Sequence, residues 1–469
     1  MTQAARRVVI TGVAAICPLG SSKEALWEGL SQGRSGVGTV PIFAPAKMGL
    51  SPSMRPADPA AASAGENATV PFARPTDAMP VSVGAAAGQF SGEIDDFGPL
   101  EKETKKAIRK GLKVMCRECQ MGVAVAQLAL ADAAWKPGGI DPERVGISFG
   151  ADYMLSAPEE FSEGIMQCLD EQRRFHFSRW GREGMTKMSP LWLLKYLPNM
   201  PASHLAIYND FRGPNNSLTL REAAANAALG EAYQIILRGS AELMLVGATG
   251  TRLHPMKMIH AVQQEEVYLG DGDPAAASRP FDRDRRGVVL GEGAGAVVLE
   301  ELLSAQARGA TIYGEVVAAA TSSVAGRRLV AQRDRAMANV LRAVLRAAGI
   351  SPNDVGHLHA HGLSTRTSDA DEARAIQEVF ASRSTPPPVV AAKSHFGNLG
   401  AGSGLVELIA SLLAVQHDRL FPILNYATPD PECPVAAVRN GDVRPGPSFI
   451  NLNVTPQGQA AAVMVRRFA

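Results

Sequence analysis

Four short segments carry the residues that could do chemistry. In DFRGPNNSLTLREAAANAALGEA, a Gly-Pro turn and a short apolar strand lead into a helix near Glu222. In HLHAHGLSTRTSD a strand-like run delivers His361 into a turn, and in AAKSHFGNLGAGSGLVE Lys393 and Asn398 stand beside a glycine-rich turn. The fourth segment, SFINLNVTPQG, is a strand followed by a turn. A side chain at the strand-to-helix junction lies at a helix N-terminus, where the helix dipole favours negative charge.

Taken one at a time, these features also have structural interpretations. A histidine after a strand is often a satisfied structural residue, and basic stretches such as 102–113 and 173–182 are typical of solvated faces. The runs GEGAG and GAGSG follow the spacing of neither a P-loop nor a dinucleotide fingerprint. Cys116 and Cys119 form a lone pair at helical spacing with no second pair, so we expect no metal site.

The elements that must position these groups alternate between strands and helices. VVITG near the start, VGISFG and LMLVGA read as buried strands, and a basic stretch runs into an Ala-rich helix that ends near Ala134. Helical spacing runs from Leu218 to about Leu237 and again over 332–349, where Gly349 closes the helix. VVLGEGAGAVVLE predicts two strand-like runs around a glycine-rich turn. The alternation indicates an α/β fold with buried parallel-type strands.

Length and composition limit the class of protein. A chain of 469 residues is long enough for two domains, and the turn-rich segment 268–287 marks a boundary between residues 1–268 and 269–469. The proline- and alanine-rich stretch 41–80 reads as a surface insertion. A net charge of +1 gives no sign of attraction to nucleic acid, and no apolar run is long enough to span a membrane. Five scattered cysteines read as reduced thiols, so we expect a soluble, cytoplasmic protein.

In their order and spacing, the four segments resemble the β-ketoacyl-acyl carrier protein synthases. The matches are Gly213-Pro214 with the junction residue eight positions after the proline, His-Gly-x-Ser-Thr from His361, and Lys-Ser-x-x-Gly-x-x-Gly from Lys393. Supporting matches are VVITGVAAICPLG, MPASHLAIYNDFRGPN and AAASRPFDRDRRGVVLGEGAGAVVLEE. The resemblance covers nearly the whole chain except the insertion at 41–80.

The resemblance implies a thiolase-like fold, with two similar α/β halves in a five-layered αβαβα arrangement. Enzymes of this family are usually dimeric and extend acyl chains. A cysteine takes the acyl group from a carrier protein, malonyl-carrier protein loses carbon dioxide, and the resulting carbanion attacks the acyl thioester. The partners implied are an acyl carrier protein and either a second copy or a cysteine-containing ketosynthase. No cofactor is implied, because phosphopantetheine arrives on the carrier protein.

The family's roles carry over to single positions of this chain. His361 matches the first catalytic histidine, Lys393 the lysine and Glu407 the supporting glutamate. Asn398 falls at the second histidine, as in related condensing enzymes that use Cys-His-Asn, and its amide can donate a hydrogen bond to a thioester carbonyl. His395 does not fall at the catalytic position.

The chain departs from the family at the centre of the site. Glu222 stands at the cysteine position, preceded by Arg221 where the family prefers alanine, and Leu363 replaces a threonine. The gating loop Gly-Phe-Gly-Gly-Thr-Asn has become residues 453–458, and the lost glycines and added Pro456 should stiffen it. Two further positions are expected to contact substrate: Thr365 and Val454.

These departures leave three functions open. A carboxylate at 222 would have to form a mixed anhydride uphill of a thioester, so we favour a non-condensing partner subunit like a chain length factor. The second function is a malonyl-carrier protein decarboxylase using His361 and Asn398. In that reaction an ionised Glu222 about 4 Å from the developing enolate would raise the energy of the enolate by roughly 4 kcal/mol. The third is an acyl-binding or acyl-transfer protein. The sequence leaves open whether Glu222 is protonated. It also leaves open whether Glu222 pairs with His361 in a catalytically inactive site. The basic stretches 102–113 and 173–182 are candidate docking surfaces for an acidic carrier protein.

Overall fold

A computed structural model describes residues 6–40 and 81–468. The predicted insertion at 41–80 lies outside the described residues. The strands are β1 Val8–Ile16, β2 Gly38–Thr39, β3 Val83–Ala85, β4 Val145–Ala151, β5 Asn215–Thr219, β6 Leu243–Thr251, β7 Leu290–Glu301, β8 Gly314–Ser323, β9 His357–His359, β10 Val389–Val390, β11 Ser448–Val454 and β12 Gln459–Arg466. The helices are α1 Lys23–Ser31, α2 Lys102–Gly111, α3 Arg117–Asp132, α4 Ser162–Gln167, α5 Phe177–Arg179, α6 Met200–Asn209, α7 Ala224–Leu237, α8 Pro255–Gln264, α9 Leu302–Ala307, α10 Arg333–Ala348, α11 Arg366–Phe380, α12 Lys393–Phe396 and α13 Ser403–Gln416.

Ten of the strands form two sets with the same internal order. The first set runs β5-β4-β6-β7-β1 and the second runs β10-β9-β11-β12-β8. In each set the first three strands are parallel and the last two pairings are antiparallel. The sets meet where Val8–Ile10 pairs with Gly314–Val316. The repeated strand order identifies the two similar halves that the resemblance implies.

The helices complete five layers. Helix α3 covers the first set of strands from outside, and α10 with α11 covers the second. Helices α7 and α13 contact strands of both sets and therefore lie between them. Apolar side chains fill each space between layers, so the largest core cluster surrounds the two central helices. The predicted αβαβα arrangement is confirmed.

The strand pairing bears on the predicted boundary between halves. Strand β7 follows residue 268, where the sequence places the end of the first half, yet it pairs with β6 and β1 of the first set. The first strand of the second set begins at Gly314. The pairing therefore favours a division between residues 301 and 314.

One predicted element is wrong. VVLGEGAGAVVLE was expected to form two runs around a turn, but Leu290–Glu301 is a single strand buried along nearly its whole length. Its glycines do not form a turn; they allow neighbouring segments to pack closely against the strand. A Cβ on Gly293 would lie 2.6 Å from the Ile16 carbonyl oxygen, and one on Gly295 would lie 2.7 Å from the Leu405 Cβ. The other predicted strands and the ends of the helices near Ala134, Leu237 and Gly349 are confirmed within a few residues. The predicted helix start at Leu218 is wrong, because Leu218 lies in β5 and α7 begins at Ala224.

Candidate active site

The strand-to-helix junction presents Glu222 at the start of a central helix. Strand β5 ends at Thr219, a 3-10 turn spans Arg221–Ala223, and α7 follows directly. Arg221 has a φ of +48°, a left-handed conformation that a non-glycine residue adopts at an energetic cost. Glu222 is 1% exposed. The predicted position at a helix N-terminus is confirmed.

Glu222 is held as a carboxylate by two guanidinium groups and an amide. Its Oε1 accepts hydrogen bonds from Arg252 Nη1 at 2.7 Å, Asn398 Nδ2 at 3.1 Å and Arg221 Nη2 at 3.3 Å. Burial alone would raise the pKa of Glu222, but the charges of Arg221 and Arg252 outweigh it and hold the pKa well below its usual value. The carboxylate is therefore ionised, and its hydrogen bonds among the described residues do not include His361.

A second carboxylate closes this charged group. Glu265, just after α8, accepts hydrogen bonds from Arg252 Nη2 at 2.5 Å and Arg221 Nη2 at 2.7 Å. Two arginines thus alternate with two glutamates, and the four charges cancel. Sequence reasoning missed Arg252 and Glu265 because they lie on other elements, after β6 and α8, and belong to none of the four segments. The only signal was a charged residue directly after the buried strand β6.

His361 follows β9 in a turn fixed by a buried glutamate. Glu372 on α11 accepts from the backbone N–H groups of His361 at 2.6 Å and Gly362 at 2.8 Å. Burial and the Lys393 charge hold the pKa of His361 well below its usual value, so the imidazole is neutral. The Lys393 Nζ lies 3.3 Å from its Nδ1 and can only donate, which assigns the ring proton to Nε2.

Lys393 and Glu407 form a buried ion pair behind His361. The Lys393 ammonium donates to Glu407 and, at 2.8 Å, to the His361 carbonyl oxygen. The Nδ2 of Asn453 donates to the other oxygen of Glu407 at 2.7 Å. Each member of this group has its polar partners within the protein, so the network fixes the histidine turn rigidly.

Asn398 faces Glu222 with its amide nitrogen. Its Oδ1 accepts from the backbone N–H of Gly400 at 3.1 Å and from Ser403 Oγ at 3.2 Å, which leaves Nδ2 to donate to Glu222. The structure therefore brings together five predicted site residues: Glu222, His361, Lys393, Asn398 and Glu407. Their chemical roles stay predictions.

The two predicted substrate contacts make structural interactions. Thr365 caps α11, its hydroxyl accepting from the Ser368 N–H at 3.3 Å, and its carbonyl oxygen accepts from Arg285 at 2.9 Å. Val454 is the last residue of β11, pairs with Ala460 and is 1% exposed. Their contact with a substrate stays a prediction.

The rebuilt loop is a tight hairpin turn between β11 and β12. Thr455 N–H donates to the Gln459 carbonyl at 2.9 Å, and Gly458 N–H donates to the Thr455 carbonyl at 3.0 Å. Pro456 sits inside this turn, where its ring restricts the backbone. These hydrogen bonds support the prediction of a stiffened loop.

Other candidate groups lie outside the site. The two ring nitrogens of His395 lie 3.0 Å and 2.9 Å from the backbone carbonyl oxygens of Arg34 and Pro422. Cys116 and Cys119 are free thiols with sulfurs 3.7 Å apart. Within residues 6–40 and 81–468, no group of three or more histidine, cysteine, aspartate or glutamate side chains is arranged to hold a metal ion. No helix in the same ranges is long and apolar enough to cross a membrane.

Two models of known protein families match most of the chain. The family model described as "Beta-ketoacyl synthase, N-terminal domain" matches residues 5–305. The model described as "Beta-ketoacyl synthase, C-terminal domain" matches residues 313–427. Together they cover well over half of the chain.

Individual relatives agree with the family models. The 3-oxoacyl-[acyl-carrier-protein] synthase 2 of Synechocystis sp. is 30% identical over 429 residues, which are 91% of this chain and 90% of the relative. The protein of the same name from Staphylococcus aureus strain N315 is 29% identical over 436 residues, 93% and 92% of the two chains.

Solved structures share the fold. A β-ketoacyl synthase from Burkholderia phymatum STM815 has a TM-score of 0.79 and 24% identity, covering 99% of this chain and all of the other. "The ishigamide ketosynthase/chain length factor" has a TM-score of 0.77 and 23% identity, with the same coverage. A type II polyketide acyl-carrier protein in complex with its ketosynthase, AntDE:AntF, has a TM-score of 0.78 and 22% identity, again with 99% and 100% coverage. These likenesses establish the thiolase-like ketosynthase fold.

Proposed function

Because the chain belongs to the β-ketoacyl synthase family, whose members act in fatty-acid and polyketide biosynthesis, we propose that it is a non-condensing partner subunit of a ketosynthase. The observation that carries the proposal is the ion-paired carboxylate of Glu222 at the nucleophile position. The role is that of a chain length factor, which pairs with a cysteine-containing subunit and lacks a nucleophile of its own.

The surroundings of Glu222 oppose its use as a nucleophile. Arg252, Arg221 and Asn398 all donate to Oε1 of this carboxylate, and the two guanidinium charges lower the basicity of the whole group. A carboxylate with a depressed pKa is also a weaker nucleophile, and its acyl product is an anhydride uphill of a thioester. The site is therefore organised to keep Glu222 ionised and still.

A large exposed apolar surface supports a partner subunit. Residues 153–196, between β4 and α6, contain most of the strongly exposed large apolar side chains of the described chain, and Ile207 on α6 adds another. Those within 153–196 are Tyr153, Ile165, Met166, Phe175, Phe177, Met185, Leu191 and Leu193. β5, which α6 contacts, forms one end of the strand order, with part of its surface exposed. A strand edge with no partner among residues 6–40 and 81–468, near many exposed apolar side chains, is a common feature of protein–protein interfaces.

Helix α2 is the better of the two candidate docking surfaces for a carrier protein. Its sequence KETKKAIRKG has five basic residues and one acidic residue, and Lys102, Lys106, Arg109 and Lys110 are exposed. In the stretch 173–182, by contrast, two of the four arginines pair with neighbouring carboxylates. Arg174 pairs with Asp170 and Arg179 with Glu183. The complex of AntDE with AntF supports carrier binding as a property to test in this chain.

A decarboxylase is the second candidate, and one observation favours it. Arg221 and Arg252 neutralise Glu222, so the charge penalty expected against a developing enolate is largely removed. A neutral His361 with its proton on Nε2 and the amide of Asn398 would be the donors to that enolate. Asn398, however, already donates one hydrogen bond to Glu222.

The proposal is tested by incubating the purified protein with acyl- and malonyl-carrier protein and recording intact masses. A non-condensing subunit forms neither a β-ketoacyl-carrier protein nor an acylated protein. Condensation by the protein alone would refute the proposal.

The same reaction distinguishes the decarboxylase. Conversion of malonyl- to acetyl-carrier protein that is abolished in His361→Ala would establish that activity. Conversion that persists in the variant would mean that His361 does not carry it. Retention of acyl-carrier protein without turnover would indicate an acyl-binding protein.

A further inference from the structure

The charged group at Glu222 extends further than the four ion-paired residues. Asp152, at the end of β4, is buried, and burial and the Glu222 charge raise its pKa against the opposing effect of Lys257. Lys257 in turn pairs at 2.5 Å with Glu118, and both are nearly fully buried. The surroundings of Glu222 thus include buried charged side chains from several elements.

These charged side chains pack closely against the glycine-rich turn that carries Asn398. A Cβ on Gly400 would lie 3.5 Å from Arg252 Cγ and 3.9 Å from Asp152 Oδ2. Arg252 is 5% exposed as a residue, and the side chain of Glu265 is 8% exposed. Their side chains therefore occupy the interior volume next to residue 222.

We infer that Arg252 and Glu265 form a plug that excludes a hydrocarbon acyl chain from the position beside residue 222. The inference rests on the proposed function and concerns which acyl groups can bind beside residue 222. Short or polar acyl groups bind there, and long apolar ones do not. The Glu222 carboxylate is contacted by the Asn398 amide and by the guanidinium groups of Arg221 and Arg252. A hydrocarbon tail on the side of Arg252 and Glu265 would lie among charged atoms.

The physical reason is the cost of desolvating charge. A hydrocarbon chain gains binding free energy only where it meets apolar walls, and it cannot satisfy buried charged atoms. One oxygen of Glu222 and one of Glu265 are buried and accept no hydrogen bond from any other residue that the structure describes. A methylene chain placed beside them would leave these atoms unsatisfied.

The test measures binding of acetyl- and octanoyl-pantetheine to the whole protein by calorimetry. In the wild type the octanoyl derivative should bind no more than about threefold tighter than the acetyl derivative, because an apolar pocket would give about fourfold for each added methylene. In Arg252→Leu/Glu265→Leu, which removes a balanced ion pair and leaves Arg221 with Glu222, the octanoyl derivative should bind at least tenfold tighter than it does to the wild type.

A matched control is Glu300→Leu/Arg308→Leu. In this ion pair Glu300 is fully buried and the Arg308 side chain is 26% exposed, and it lies at the opposite end of β7 from Glu292, the residue that pairs with Thr251 beside the site. The control should leave the ratio of octanoyl to acetyl affinities as in the wild type. A shift as large as that of the test variant would overturn the inference.

Two results contradict the plug directly. One is a wild-type protein that prefers the octanoyl over the acetyl derivative by tenfold or more, a measurement that needs no variant to fold. The other is a folded Arg252→Leu/Glu265→Leu protein with no gain in octanoyl affinity over the wild type. Both are binding measurements, so they are separate from the condensation assay, whose positive result would refute the proposed function itself.

Discussion

At the scale of single residues, the account depends on the charge state of Glu222. The sequence placed a carboxylate at a helix start inside a protein and left two opposed effects, burial and the helix dipole. The structure shows that Arg221, next in the chain, and Arg252, directly after β6, both pair with Glu222 and hold its pKa below its usual value. No motif pointed to Arg252, so the sequence left the question open.

Glu222→Gln is expected to destabilise the fold by about 3 kcal/mol at pH 7, because Arg221 and Arg252 would then share a single carboxylate, Glu265, in a buried site. The exposed pair of Arg342 with Glu378 supplies the matched control. Glu378→Gln should change the free energy of unfolding by less than about 1 kcal/mol. Denaturant unfolding measures both, and equal losses would contradict the buried ion-pair description.

The wild type and Glu222→Gln are also expected to differ in how their stability depends on pH. The pKa of Glu222 is lower in the folded protein than in the unfolded chain, so its contribution to stability is present above pH 4.5 and lost as the pH falls through the folded-state pKa. The difference in unfolding free energy between wild type and Glu222→Gln should therefore be constant near neutrality and shrink below pH 4.5. A difference that grows on acidification would mean that Glu222 is protonated in the folded state.

At the scale of elements, the sequence predicted what local patterns determine. The strand before His361, the helix after Glu222 and the left-handed Gly349 at the end of α10 all follow from spacing and residue type. The glycines of β7 were misread as a turn, because close approach between a strand and its neighbours depends on tertiary packing. The pairing of Arg252 with Glu265 depends equally on packing, between the ends of β6 and α8.

Helix α2 carries the prediction for carrier binding. Lys106→Glu/Arg109→Glu should weaken binding of an acidic carrier protein roughly tenfold at low salt and by less at high salt. Arg174→Glu/Arg179→Glu, at two arginines that each pair with a neighbouring carboxylate, should have a much smaller effect. Surface plasmon resonance at two salt concentrations compares the two. Equal weakening by both variants would remove the preference for α2.

At the scale of the whole molecule, two strand sets of identical order enclose two central helices. The fold followed from the resemblance, but the repeat was invisible in the sequence because burial constrains residue type only loosely at each position. The site lies where the halves meet: Glu222 belongs to the first half, and His361, Lys393 and Asn398 to the second. A change in either half can therefore remodel the common site, as Glu222 with Arg252 and the hairpin at 455–458 illustrate.

The most direct test of the central claim is co-expression of this chain with a cysteine-containing ketosynthase of the same organism, followed by native mass spectrometry. The account predicts a stable one-to-one heterodimer in which the apolar surface of residues 153–196 is covered, and condensation that requires the cysteine of the partner. A homodimer of this chain that persists unchanged in the presence of the ketosynthase would contradict it.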